Sequence, residues 1–219
     1  MSVRDAAGAQ SAGSESDDAV YVVDDFLGDP NPLRQLALEA DYLTPPTPET
    51  YAGRNSGRKY PLSGLDERIA AIVGHRVLPL EHPAAHAHFR LCLEHETGTG
   101  GVHIDNCHWT GVLYLTLDEH AQGGTTFHRH RPSGTLRAPI YPEDWSAWGG
   151  LTRDRWWKEV VWAHTNDPSK WDVAKHVDMR FNRLVLFRPW LWHSASPGFG
   201  TSAATGRLLY LLYFHQADA

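Results

Sequence analysis

Residues 100–117 read GGVHIDNCHWTGVLYLTL, a His-x-Asp tripeptide followed by a run rich in branched and aromatic residues. The run Gly111–Leu117 is typical of a β-strand. Side chains two residues apart on an extended chain point to the same face, so His103 and Asp105 would share one face. An imidazole nitrogen and a carboxylate oxygen can then bind one metal ion.

A third ligand is expected from His193, which follows an apolar strand predicted over Arg183–Phe187. Two histidines and a carboxylate on one face of an octahedral metal leave three positions open, as in non-haem Fe(II) oxygenases. A His-x-Asp tripeptide often arises by chance, and the chain has 14 histidines. The assignment therefore depends on the segments around the three residues.

These segments predict helices first and antiparallel strands afterwards. No strand–helix–strand alternation appears, which argues against a parallel sheet. The predicted fold is an all-β core with flanking helices (α+β), a double-stranded β-helix or jelly roll with a Trp-rich insertion. The predicted helices are Asn31–Asp41 and Leu65–Val73, and the other predicted strands are Tyr21–Phe26, His88–Glu94, Gly124–His128 and Arg207–Phe214.

Composition predicts one domain. Residues 1–18 are rich in Ala, Gly, Ser and Asp and are expected to be a disordered acidic tail. Residues 19–219 are expected to form a single jelly-roll domain, interrupted at about 132–180 by the insertion. That insertion contains six of the nine tryptophans, and one helix is predicted in it at about Asp154–Ala163.

Charge and apolar content limit the classes of partner. Of the net charge of −6, residues 1–25 contribute five negative charges and the remaining chain only one. A nearly neutral body without a basic block argues against nucleic acid. No run approaches the length of a membrane helix and no signal peptide is recognisable, so a cytoplasmic protein without a membrane partner is expected. Cys92 and Cys107 cannot form a disulfide framework, and oligomeric state is not set by these features.

The ordered set of motifs resembles the Fe(II)- and 2-oxoglutarate-dependent dioxygenases, in the branch similar to prolyl 4-hydroxylases. Each matching piece is short, but five occur in the order of the family, from about residue 20 to 215. They are Tyr21–Leu27 (YVVDDFL), the GGVHID turn, Leu113–Thr116 (LYLT), Gly123–Phe127 (GGTTF), and the run from Asn182–Phe187 (NRLVLF) through His193 to Gly206–Phe214 (GRLLYLLYF).

The resemblance implies that His103, Asp105 and His193 are the iron ligands and the catalytic centre. It implies that Arg207 binds the distal carboxylate of 2-oxoglutarate, which suits a planar guanidinium. Tyr114 is a plausible second donor to that carboxylate, with packing in the core as the alternative. The cofactors implied are Fe(II), 2-oxoglutarate and O₂, and the reaction is hydroxylation of an unactivated C–H bond with release of succinate and CO₂.

The substrate is expected to be a small molecule, such as an amino acid, a short peptide or an intermediate of a specialised pathway. Two alternatives stay open: a protein-bound residue as substrate, as in prolyl hydroxylation, and a non-catalytic jelly roll that binds a metal or ligand. The Trp-rich insertion is read either as a lid or as packing against the barrel. Candidate substrate-binding residues are Trp109, Arg129, Trp192, Arg58 and Tyr60.

Two features depart from the family. The strand before the His-x-Asp turn reads Leu91-Cys-Leu-Glu-His95 and lacks the Tyr that many relatives use to hold 2-oxoglutarate. Arg207 follows His193 by 14 residues, which is longer than in close prolyl hydroxylases, so a loop is expected from Pro197 to Gly206.

Overall fold

Two antiparallel sheets form the centre of the molecule. The computed structural model describes residues 10–11, 19–43, 50–81 and 86–217. The strands are β1 Gln10–Ser11, β2 Val20–Val23, β3 Arg54–Asn55, β4 Val77–Pro79, β5 His88–Cys92, β6 Trp109–Tyr114, β7 Gly124–His130, β8 Trp171–Asp178, β9 Leu184–Phe187, β10 His193–Ala195 and β11 Arg207–Gln216. The major sheet has the order β1-β2-β9-β6-β11-β5-β3, with β4 also paired to β11, and the minor sheet has the order β10-β7-β8.

Helices cover one side of the major sheet. Helix α1 spans Asn31–Leu38, three residues shorter than predicted, and α2 spans Leu65–Val73 as predicted. In α2 the buried residues Leu65, Ile69 and Val73 are four apart and so form one apolar stripe. They pack with α1 against the outer face of the sheet. The all-β core with flanking helices, predicted from the sequence, is confirmed.

Alternation along the central strands separates two cores. On β6, Trp109 and Leu113 belong to the outer core beneath the helices, whereas Val112 and Tyr114 face inward. The inner core lies between the two sheets, where Phe127 of β7 meets Phe187 of β9 with ring centroids 5.1 Å apart. The sheets therefore form a sandwich whose interior is lined by every second residue of each strand.

The predicted insertion at 132–180 contains one strand that was not expected. Its last part is β8, which pairs with β7 along the whole minor sheet. The remainder, residues 132–170, is called the Trp-rich segment here. It contains α3 (Arg153–Trp156), a π-helical turn at Trp157–Trp162, and 3₁₀ turns at Pro142–Trp148 and Pro168–Lys170. The predicted helix at Asp154–Ala163 thus exists as an α turn followed by a π turn.

A third core, called the Trp-rich core here, joins this segment to the sandwich. Its buried members are Val102, Ala138, Trp148, Trp156, Val160, Val161, Trp171 and Trp192. Trp192 has no exposed surface and contacts the rings of several other tryptophans, with centroids 5.1–6.1 Å apart. The buried tryptophans therefore pack the segment onto the minor sheet.

Little of the predicted tail falls within the described residues. Of residues 1–18, only Gln10–Ser11 are described, and they pair with β2. The prediction of a disordered tail otherwise lies outside the described residues. In the described part of the chain, no helix has the length and apolar character needed to cross a membrane.

Candidate metal centre

Backbone pairing brings His103 and His193 together although they are 90 residues apart. The two residues form an antiparallel bridge, in which each backbone N–H donates to the carbonyl of the other at 2.9 and 3.0 Å. Asp105 is held on the same segment, because its N–H donates to the carbonyl of Pro189 at 3.1 Å. The loop before β6 is thereby extended alongside the start of β10, and the predicted shared face is formed.

The three side chains converge on one point. Nε2 of His103 lies 3.8 Å from Oδ1 of Asp105, and Nε2 of His193 lies 3.4 Å from Oδ2 of the same carboxylate. One ligand atom from each residue lies within 4.8 Å of the others. Neighbouring ligands of an octahedral ion with bonds of about 2.1 Å are about 3 Å apart, and the separations of 3.4 and 3.8 Å are close to that spacing. His103 and Asp105 keep 17% and 16% of their side-chain surface, so the centre retains limited access to solvent.

Backbone carbonyls orient both imidazoles. Nδ1 of His103 lies 2.9 Å from the carbonyl oxygen of Gly101, and Nδ1 of His193 lies 2.7 Å from that of Leu191. A carbonyl only accepts, so the hydrogen-bond network assigns the proton to Nδ1 in each ring. Nε2 then carries the lone pair and faces Asp105, which is the arrangement of metal-bound histidines.

Electrostatics keep the ligand atoms in their metal-binding forms. Burial, together with the neighbouring His193, lowers the pKa of His103 to about 4. Burial alone would raise the pKa of Asp105, but the adjacent imidazoles of His193 and His103 and the hydrogen bond from Thr110 outweigh it and lower the pKa to about 2. At neutral pH the site therefore offers a carboxylate and an unprotonated His103.

Arg207 extends the inward face of β11 and has a buried charge. It pairs with Cys92 of β5 and is 4% exposed. Its Nε is buried without a hydrogen-bond partner, and among the described residues no carboxylate forms an ion pair with it. Burial, with the nearby Arg90, lowers the pKa of Arg207. A buried guanidinium in this position is suited to a carboxylate supplied by a bound molecule.

Tyr114 shares the inward face with Arg207. It lies opposite Leu209, two residues along β11 from Arg207. The ring is fully buried in the inner core, and its hydroxyl lies 2.7 Å from Oγ1 of Thr125. If Thr125 donates this hydrogen bond, the phenolic proton remains available to another acceptor.

Residues 8–210 match a family of unknown function, DUF6445. The chain belongs to this family. In sequence, no curated protein matches it. The family assignment covers nearly the whole described chain, including all three residues of the centre.

Solved structures that resemble this DUF6445 protein include two of HygX from Streptomyces hygroscopicus. One holds nickel, 2-oxoglutarate and hygromycin B, and the other nickel and 2-oxoglutarate, with TM-scores of 0.51 and 0.52. Each is 14% identical and covers 91% of this chain and 83% of the HygX chain. At this identity the likeness establishes a shared fold alone.

Two predicted substrate-binding tryptophans do not face the centre. Trp109 is the first residue of β6, and its side chain points into the outer core, where its Nε1 donates to His75 at 3.0 Å. Trp192 precedes His193 but lies in the Trp-rich core, with its Nε1 3.4 Å from Oγ1 of Thr135. Strand alternation is the reason, because a residue next to an inward-facing one points outward.

The other predicted substrate residues also lie away from the three ligands. Arg58 is exposed and its guanidinium covers the ring of Tyr60 at 4.8 Å, while Tyr60 packs against Phe89 of the outer core. Arg129 is exposed on β7, donates to the carbonyl of Gly134 at 2.7 Å, and lines a surface cleft of about 390 Å³ beside the Trp-rich segment.

Two residues that the sequence analysis missed do contact the centre. Oγ1 of Thr110 donates to Oδ2 of Asp105 at 2.7 Å. The ring of Tyr51 lies 4.4 Å from that of His103 and is partly exposed. Thr110 alternates with Val112 and Tyr114, so its inward direction was readable from the strand. Tyr51 lies in a distant loop, and no local pattern indicated its position.

Proposed function

We propose that this protein is an Fe(II)- and 2-oxoglutarate-dependent oxygenase that hydroxylates an unactivated C–H bond of a small molecule. One observation carries the proposal: His103, Asp105 and His193 converge in a jelly roll whose inward face also holds the buried, unpaired guanidinium of Arg207. The proposal treats residues 19–219 as one domain, with the Trp-rich segment inserted between β7 and β8.

The donor set suits Fe(II). Two imidazole nitrogens and one carboxylate oxygen form the facial arrangement of non-haem iron oxygenases, which leaves room for a chelating cosubstrate and O₂. His103 and His193 would bind through Nε2 and Asp105 through a carboxylate oxygen. When bound, iron with 2-oxoglutarate and O₂ supplies oxidation of a C–H bond to an alcohol, with succinate and CO₂ as the other products.

The chain's own residues would bind and orient the cosubstrate. Arg207 would pair with its distal carboxylate through two parallel N–H···O bonds, and Tyr114 would donate a further hydrogen bond beside it. Thr110 holds one oxygen of Asp105 and so limits rotation of that carboxylate. Apolar neighbours on the same inward face, among them Val112 and Leu209, exclude bulk water from the guanidinium.

Two comparisons support the choice of reaction and substrate class. The sequence motifs resemble the prolyl 4-hydroxylase branch, in which the reaction is hydroxylation. HygX, which shares the fold, has been solved with hygromycin B, a small molecule, and with 2-oxoglutarate. The first likeness favours hydroxylation as the reaction, and the second favours a small molecule as the substrate.

The first test follows cosubstrate binding and turnover. Anaerobic addition of Fe(II) and then 2-oxoglutarate should produce the weak visible charge-transfer band of chelated iron. Admission of O₂ with a panel of candidate substrates should then release succinate. A protein that shows no band at millimolar ligand and no succinate would refute the proposal, whereas metal binding without the band would leave a non-catalytic metal-binding jelly roll.

Matched histidine variants test the ligand assignment. His103→Ala should abolish the band and succinate release while the protein stays folded, because one of three ligands is lost. His120→Ala changes a more exposed histidine that lies beyond β6 and should behave as wild type. Equal activity of the two variants would show that His103 is not a ligand.

A further inference from the structure

The orientation of His103 depends on a single backbone carbonyl. Its Nδ1–H donates to the oxygen of Gly101 at 2.9 Å, and this bond directs Nε2 toward Asp105. If the peptide of Gly101 turned, the ring would lose this acceptor and its orientation. The residues that fix Gly101 therefore act on the proposed metal centre.

Thr165 of the Trp-rich segment holds both of the peptide groups that meet at the Cα of Gly101. Its Oγ1 accepts a hydrogen bond from the N–H of Gly101 at 3.0 Å, and its backbone carbonyl accepts one from the N–H of Val102 at 2.9 Å. The approach is close: a Cβ built on Gly101 would lie 2.4 Å from the carbonyl oxygen of Thr165. Glycine is required at position 101 so that the two backbone segments can approach each other this closely.

The neighbours of Thr165 anchor it on both sides. Nδ2 of Asn166 donates to the carbonyl of Thr99 at 2.6 Å, which holds the same loop two residues before Gly101. His164 has its Nδ1 2.9 Å from Nε2 of the buried His130, and its carbonyl accepts from Nε1 of Trp171 at 2.8 Å. Thr165 is thereby held by the Trp-rich core rather than by an independent loop.

We propose that Thr165 is a positioning residue for the metal centre, through which the Trp-rich segment fixes the Gly101 carbonyl and hence the ring of His103. This inference rests on the proposed metal site and gives the segment a role other than that of a lid. The same core holds Trp192 immediately before His193. Both histidine ligands are thus supported by one group of tryptophans.

Loss of the threonine hydroxyl should weaken metal binding more than it weakens the fold. Thr165→Val keeps the shape and the backbone carbonyl but leaves the N–H of Gly101 without its acceptor. Removal of an outer contact that orients a metal-bound histidine typically lowers metal affinity about 10- to 100-fold. Thr165→Ser retains the hydroxyl and should restore wild-type affinity.

The experiment measures Co(II) binding to the whole protein by calorimetry, the visible spectrum of the Co(II) form, and the melting temperature without metal. Thr205→Val is the matched control, because Thr205 also accepts from a backbone N–H but lies in the loop before β11. We expect Thr165→Val to bind Co(II) at least 10-fold more weakly with an altered spectrum, and Thr165→Ser and Thr205→Val to resemble wild type. Asn166→Ala, which releases Thr99, should weaken binding in the same direction and serves if Thr165→Val does not fold.

Three results would overturn the inference. The first is a Thr165→Val variant that binds Co(II) within twofold of wild type and has an unchanged spectrum, which would show that the contact does not position His103. Asn166→Ala is judged in the same way if Thr165→Val does not fold. An equal loss in Thr165→Ser would show that the hydroxyl is not responsible. If the wild type itself binds no Co(II), the proposed metal centre is refuted and the positioning role with it. If the wild type binds Co(II) normally and the variant is unaffected, only the positioning role is refuted.

Discussion

Replacement of Arg207 by methionine should change stability and cosubstrate binding in opposite directions. The guanidinium is 4% exposed, its Nε has no partner, and no carboxylate pairs with it among the described residues. Without cosubstrate, the protein therefore carries a buried charge whose lost hydration is not compensated by an opposite charge. With 2-oxoglutarate bound, the same group would gain a bidentate, charge-assisted contact.

The two magnitudes follow from these contacts. Each hydrogen bond to a charged group contributes about 1.5–3 kcal/mol, so loss of two should cost about 3 kcal/mol or more. That corresponds to at least about a hundredfold increase in the Kd for 2-oxoglutarate. Removal of the unpaired charge should stabilise the cosubstrate-free protein by about 1 kcal/mol, or about 2–4 °C in Tm for a chain of this size.

The assay is calorimetric titration of 2-oxoglutarate into the anaerobic, metal-loaded protein, together with thermal melts before titration. Arg180→Met is the matched control, since it removes an arginine from an exposed ion pair with Asp24 and should leave the Kd unchanged. An unchanged Kd in Arg207→Met, or a Tm several degrees lower than wild type, would refute the reasoning that Arg207 awaits an anionic ligand.

Three further predictions concern the inner face and the buried aromatic groups. Tyr114→Phe should raise the Kd for 2-oxoglutarate several-fold while metal affinity stays constant, and calorimetry showing no change would leave Tyr114 with packing alone. Trp192→Ala should lower the free energy of unfolding by about 3–5 kcal/mol in urea melts, because a fully buried indole is removed; a loss below 1 kcal/mol would contradict its place in the core. Burial lowers the pKa values of His86 and His130 to about 4. Below pH 6.5 the unfolded chain therefore binds more protons than the folded protein. The free energy of unfolding should then fall from pH 6.5 toward pH 4, by up to about 1.4 kcal/mol per pH unit for each histidine. Urea midpoints that do not change between pH 7 and 5 would argue against neutral, buried histidines.

Local patterns were sufficient for much of the fold. Short runs of branched and aromatic residues, separated by Gly, Pro or Asp, located β5, β6, β7, β9 and β11 to within a few residues, and α2 was located to the residue. These signals are local because each depends only on neighbours along the chain. β8 was missed because its residues Asp172 to His176 are mostly exposed, so that strand lacks an apolar alternation.

The candidate site was likewise predicted in part by local sequence patterns and decided in part by contacts between distant segments. The spacing of His103 and Asp105 placed both on one face, and the apolar strand before His193 made that residue a candidate. Their convergence, however, rests on a backbone bridge across 90 residues, which no spacing encodes. Sequence supplied the ligand types, and pairing between distant segments supplied their distance.

Contacts between segments distant in sequence decided which other residues lie at the site. Trp109 and Trp192 stand next to the site in the sequence, yet a strand turns successive side chains to opposite faces, and both point into cores. Tyr51 and Thr165 are remote in the sequence, yet they touch His103 and the loop that carries it. The amino-acid sequence by itself determined the strand pattern and the chemical nature of the ligands. Only the tertiary structure decided which side chains share the interior, because a one-residue change of register moves every side chain of a strand to the other face.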